Sequence, residues 1–540
     1  MKKWLAFLIA FSLCFALSAA QAETPQVGAI QVLLSDDGVM VNGQQASSDP
    51  GAAVYTAHDI VFYLAGQDFT YGEGEEHEGH TQEEADMHTV VHITQPGTYV
   101  LSGQLSAGQI AVDVKDGKKD PEAVVTLVLN GVDITCTVAP AIIFYNVYEC
   151  GSDNAETASM TVDTAAAGAN VVIADDTVNN ISGSHVARIY EPGTVQLSAD
   201  GQKVEEAKKL HKYDAAFYAK RSMNLNGGEK GNGILNIYAD NEGLGSELHL
   251  TINGGSINIF SGNDGINTNE DNVSVTTVNG GQLTISVTGT TGEGDGIDSN
   301  GWLVINGGSV TSAACGFSAD AGIDSDMGIW LNGGEVCATG NMFDHVAGGD
   351  APYAVFAFDG RMKGGSTITL QNEAGETVQS WTPANDFSYL VISGQAVQPG
   401  SYTLWQGDTQ LAYTSASVMA FGGGMKPPEG LEPPEGFDPS RMPKHGGMPG
   451  GMQPPEGFDP SKMAPPPGGF EMPEGIEMPE DMKVPEDMKV PEGLEPPADG
   501  RGPGGRRGGF GSHQGGEQQT LFVITEEGGS YSGVGALKTE

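Results

Sequence analysis

The chain has 540 residues, 70 acidic against 25 basic, for a formal net charge of -45 at neutral pH. A polyanion of this strength has no basic footprint for nucleic acid, whose phosphates need Lys and Arg. No apolar run beyond the first 22 residues approaches the roughly 20 residues of a membrane span, so no transmembrane segment is expected.

Residues 1–22 read as a signal peptide. Lys2 and Lys3 precede an apolar run from Trp4 to Leu17, and Ala20-Gln21-Ala22 is a small-x-small cleavage site. The expected mature chain is secreted and, having lost two lysines and no acids, carries a charge of -47. Its cysteines, Cys136, Cys150, Cys315 and Cys337, are compatible with one or two disulfides or with isolated thiols.

Residues 23–215 are strand-rich and glycine-punctuated, as in Gly97-Thr98-Tyr99-Val100-Leu101-Ser102-Gly103, Val124 to Ile134, and Val171 to Ser182. The stretch VTLVLNG, ending at Gly131, has the pattern of LHLTING, ending at Gly254, which predicts degenerate repeat units here. Glu73 to His88 carries three histidines among acids, but its spacing matches no zinc framework and predicts a solvated acidic loop. Gln202 to Lys212 is charged and is expected to form a short helix.

Residues 216–350 hold the strongest signal. Asn-Gly-Gly recurs at Asn226, Asn253, Asn279, Asn306 and Asn332, at intervals of 27, 26, 27 and 26 residues. Each copy separates short alternating runs, such as Leu248–Ile252 and Ile257–Ile259, so apolar side chains face inward at period two. The expected fold is all-β, a right-handed parallel β-helix of about 26 residues per coil with stacking near 4.8 Å. No leucine-rich repeat pattern is present.

A second punctuation supplies acids in phase. Glu242-Gly-Leu, Asp264-Gly-Ile, Asp295-Gly-Ile and Ala321-Gly-Ile recur, with Asp320 beside the last and Glu247, Asp298, Asp324 and Asp326 close behind. Stacking brings these carboxylates together, and residues 231–360 contain no Lys or Arg to compensate them. Calcium, which takes six to eight oxygen ligands, would do so. Alternatively each Asp caps its own turn.

Trp302, Trp330 and His249 fall at outward positions and offer a stacking face for sugar rings. No catalytic residue is assigned. Asp295 and Asp298 form a carboxylate pair, but the repeat lacks the basic partner that uronate-cleaving enzymes use.

Residues 351–421 change to longer strands with hairpin turns, expected as a C-terminal β cap. Residues 422–518 are a Pro/Gly/Met-rich low-complexity insertion, expected to be disordered and to serve as a spacer or to dock a cell-surface partner. Residues 519–540 return to strand composition, a final cap strand.

These marks, with Gly108-Gln109-Ile110 and Tyr389-Leu390-Val391-Ile392-Ser393, resemble the secreted clostridial-type carbohydrate-binding β-helix family, fold-related to pectate lyases. The resemblance implies a calcium-containing, non-catalytic protein that binds polysaccharide, polygalacturonate or cellulose. Lys220-Arg221-Ser222 and Ala321 depart from the family pattern. A divergent polysaccharide lyase or hydrolase and a structural surface spacer are the alternatives.

Overall fold

The structure is a computed structural model that describes residues 28–417 and 518–537, apart from 152, 395, 396 and 527. The expected leader and, but for Gln518, the low-complexity span lie outside the described residues. Those described are nearly all strand, turn and loop. Helix is confined to Gln82–Asp86 and two single 3-10 turns, Glu76–Glu78 and Gly117–Lys119.

Three parallel ladders follow from the period-two pattern. One contains Ala169–Ile173, Met223–Gly227, Leu250–Ile252, Val275–Val278, Trp302–Ile305 and Ile329–Leu331, each paired with the next. A second contains Val178–Gly183, Ile234–Ala239, Ser256–Ser261, Gln282–Val287, Ser309–Ala313 and Glu335–Gly340. The third, part of an eight-stranded sheet that is parallel except where Val54–Ala57 meets Thr89–Ile93, includes Ala215–Ala219, Glu242–Ser246, Ile266–Thr268 and Ile297–Ser299. The chain visits the three in turn. Leu250, Ile257, Ile259 and Ile266 are fully buried, as are their counterparts in neighbouring units, so one continuous core runs along the stack.

The amino-terminal ladder joins the repeat in a register displaced from the sequence pattern. Leu127 pairs with Val171, Val171 with Leu225, and Leu225 with Ile252. Sequence alignment of VTLVLNG with LHLTING would instead place Leu129 opposite Ile252. The two-residue slip keeps the same face inward, so burial tolerates it.

Four of the five Asn-Gly-Gly copies make the same turn, with the second glycine in the left-handed region: Gly255, Gly281, Gly308 and Gly334. At Asn226 the glycine Gly227 still belongs to the strand and a longer connection follows. Gly308 has φ of 79°, and a methyl there would meet the Gly281 carbonyl oxygen at 2.7 Å. Gly308→Ala therefore combines left-handed strain with a backbone clash and is expected to lower stability by about 2–4 kcal/mol, read as a fall in thermal midpoint.

At the carboxyl end the direction of pairing changes. Phe387–Ser393 runs antiparallel to both Glu335–Gly340 and Tyr353–Met362. The returning strands Phe522–Ile524 and Gly529–Ala536 pair with Gly400–Gln406 and Tyr353–Met362. A separate apolar cluster around Phe356, Phe387, Phe522 and Tyr531 fills this region.

Two local expectations are corrected. Val204–Glu206 within the predicted short helix is a strand paired antiparallel with Gln196–Leu197, because the turn at Asp200-Gly201 closes a hairpin. The Glu73–His88 segment is folded and docked rather than a solvated loop. His88 is buried between the Glu84 carbonyl and the Thr137 amide, and the Glu78 carboxylate lies 2.9 Å from His185. The four described cysteines are free thiols, three of them buried.

Candidate functional site: acidic columns and an amide groove

The third sheet stacks the acids in two columns. Pairing of Leu244 with Ile266 and Ile266 with Ile297 sets Glu242, Asp264 and Asp295 side by side at the strand entrance, with Ala321 next in line. Three residues further on, Asn267 pairs with Asp298, and the Asp324 amide donating to the Ile297 carbonyl puts Asp324 beyond it. Neighbouring strands lie about 4.8 Å apart, so each column holds like charges at close quarters.

Glu242 and Asp264 are buried, while Asp295, Asp298 and Asp324 are half-buried and reachable from solvent. Burial, then the charges of Asp214 and Asp264, push the Glu242 carboxyl well above its ordinary range. Burial and neighbouring acids likewise raise Asp295 and Asp298 strongly, and push Asp264 and Asp324 up to about 7. Backbone amides offset part of this, Asp295 donating to Asp264 at 2.7 Å and Ala321 to Asp295 at 2.5 Å. The Asn267 side-chain amide donates to Glu242 at 2.9 Å, leaving Glu242 Oε2 and Asn267 Oδ1 buried without a hydrogen-bond partner.

The remaining acids read from the sequence fall outside the two register columns, although the charge of Asp320 still bears on Asp264, Asp295 and Asp324. Glu247 accepts from the Tyr218 hydroxyl, and Asp320 accepts from the Gly294 amide at 2.7 Å and from the Ser318 hydroxyl. Asp326 is exposed at the strand end, although its charge still bears on Asp298 and Asp324. Sequence reasoning missed Asp344, a raised, half-buried carboxyl whose charge reaches Asp298 and Asp324. It also missed Asn267, whose signal was available as the polar residue after Asp264-Gly-Ile. Protein cations are not wholly absent: Arg188, from outside the repeat, lies 3.3 Å from Asp214 at one end of the row.

Oxygen donors alone, some orphaned and buried, are the donor set of a hard divalent cation. Glu242, Asp264 and Asn267 fit it at one end, and Asp298 and Asp324 at the other. Among the described residues no three His, Cys, Asp or Glu side chains already converge in ligand geometry, so any such ion would draw on amide or carbonyl oxygens or water as well.

The aromatic face differs from expectation. Trp302 and Trp330 point outward beside fully buried Leu303, Ile305, Ile329 and Leu331, but each is half-buried. The Trp330 ring lies over the backbone of Gly348, 2.4 Å from where a methyl would project. His249 is corrected outright: it is 2% exposed and covered by the segment at Gly151, so it offers no surface to a ligand.

Along the first ladder the outward Asn side chains of the Asn-Gly-Gly turns form a continuous chain. Each Nδ2 donates to the preceding Oδ1 at 2.8–2.9 Å, from Asn332 through Asn306, Asn279 and Asn253 to Asn226. Beside this amide row lies a groove of about 750 Å³, floored by Thr251, Thr277 and Val304 and walled by Met160–Ala165.

Among curated proteins none matches the chain. A solved structure of a polysaccharide lyase-like protein from C. thermocellum, a gadolinium derivative, is 21% identical, with a TM-score of 0.34 over 60% of this chain and 93% of its own. Residues 87–202 and 153–345, which carry most of the parallel ladders and both acidic columns, match the model of a family described as carbohydrate-binding domain-containing protein.

Proposed function

We propose that this chain is a secreted, non-catalytic polysaccharide-binding protein built on a right-handed parallel β-helix, holding acidic plant cell-wall glycan through calcium at its acidic columns. The observation that supports it most is the stacking of Glu242, Asp264, Asp295, Asp298 and Asp324 in a sequence span without Lys or Arg. Calcium, when bound, would supply the missing positive charge and share its coordination with uronate carboxylates. The buried residues Glu242, Asp264 and Asn267 hold one end rigid, while half-exposed Asp298 and Asp324 face incoming ligand. Calcium at the columns would also let a mature chain of charge -47 approach a polyanion.

Affinity electrophoresis in polygalacturonate gels tests this reading. Retardation in calcium that disappears in chelator is the expected result; equal mobility in every gel would refute binding.

One observation favours an eliminative lyase as a second reading. Lys220, half-buried and 5.4 Å from the Tyr213 ring centroid, is held below the usual lysine range by burial. It lies two residues beyond Tyr218, which is in register with Gly245, so this candidate base stands beside Glu247 at the exit of the strand whose entrance holds Glu242. Release of unsaturated uronides from polygalacturonate, lost in Lys220→Ala, would establish that activity in place of simple binding.

A further inference from the structure

The amide groove lies on a different sheet from the acidic columns and has a different chemistry. Among the described residues that line it, Asp163 is the one charged side chain and none is a cation. At one end the Met160–Ala165 segment is pinned down through Thr164, whose hydroxyl contacts Asn224 Oδ1 at 2.8 Å and the Thr251 hydroxyl at 2.7 Å. Past that clamp the floor is half-buried Thr277 and then buried Val304.

Each ladder amide spends one N–H on its neighbour, which leaves a second N–H and an oxygen lone pair to face outward. Asn253, Asn279, Asn306 and Asn332 are exposed, so this row of donors and acceptors repeats at the strand spacing of roughly 4.8 Å along the stack. A polymer that hydrogen-bonds every member of such a row must itself repeat at about that distance. Extended pyranose chains do, and they carry hydroxyls on the ring edge with C–H groups on the ring face. The edge suits the amides. A uronate chain would bring carboxylates to a groove whose one charge is already negative.

We infer that this groove is a second glycan site, for a neutral, unbranched polysaccharide lying along the stacking direction. The inference rests on the carbohydrate-binding reading and separates two ligand classes between two faces. Neutral glycan goes to the amides without metal, and acidic glycan goes to the carboxylates with calcium.

The test is affinity electrophoresis of the full chain in gels containing either hydroxyethylcellulose or polygalacturonate, each with calcium and with chelator. The neutral polymer should retard the protein equally in both conditions. Thr277→Arg, which fills the groove from its floor, should weaken that retardation at least tenfold and leave calcium-dependent retardation by polygalacturonate unchanged. Asp163→Arg, on the exposed wall, should act in the same way on the neutral polymer and decides the matter if the floor variant does not fold. Retardation by the neutral polymer that survives both variants, or that requires calcium, would overturn the assignment. Retardation by polygalacturonate alone would remove the groove site and leave the proposed function standing. No retardation by either polymer would remove both.

Discussion

In chelator, the thermal midpoint of this protein is expected to fall as pH rises from about 4 to 8, and calcium is expected to reverse that fall. Acids of the two columns have folded-state pKa values above their unfolded ones, with Asp264 and Asp324 near 7 against an ordinary value of about 4. At these groups the folded state therefore binds more protons than the unfolded chain between those limits. Their contribution is fully present below pH 4 and is lost as pH rises through 7. Every tenfold difference in proton affinity between folded and unfolded chain is worth about 1.4 kcal/mol, and with several coupled groups the expected drop is on the order of 10 °C. Calcium binds the ionised form, so its stabilisation should grow over the same range. Melting curves at pH 4.5 and 8, with and without calcium, check this. A midpoint that rises with pH in chelator would contradict the buried, like-charged columns.

The second large effect concerns Asp298, which sits between Asn267 and Asp324 in register. Asp298→Asn should move two observables in opposite directions. Removing a charge that Asp264, Asp324, Asp326 and Asp344 repel should raise the midpoint in chelator by a few degrees, corresponding to roughly 1–2 kcal/mol. The same change removes a cation-facing oxygen charge and should weaken calcium-dependent retardation by polygalacturonate at least tenfold. A turn-capping role gives a different pattern, since loss of an Asx cap destabilises and leaves binding alone. Measuring both in one variant therefore separates the two roles of these acids left open by the sequence.

What the sequence made legible was whatever repeats. The spacing of Asn253, Asn279, Asn306 and Asn332 marked the turns, and the phase of Glu242, Asp264 and Asp295 marked a column, because a stacked strand turns sequence period into spatial adjacency. What it hid came from contacts between distant parts of the chain. His249 has an outward position by alternation, yet the segment at Gly151 folds over it from about a hundred residues away. Arg188 reaches Asp214 from an excursion outside the repeat. Asp344 follows the last Asn-Gly-Gly, where no further copy exists to align it. The slip at Leu127 has the same origin, since alternation fixes the face of a strand and leaves its register free by steps of two.

The order in which the carboxyl-terminal strands pair has a consequence in time. Tyr353–Met362 is flanked on one side by Phe387–Ser393, made soon after it, and on the other by Gly529–Ala536, made about 170 residues later. During synthesis the edge at Tyr353–Phe358 waits for the last strand of the chain, with Phe356 uncovered by Phe522 and Tyr531 meanwhile. A ribosome that stops short of residue 519 releases a protein with every ladder of the repeat in place and the edges of both Tyr353–Met362 and Gly400–Gln406 bare, the shape that recruits a second copy of itself.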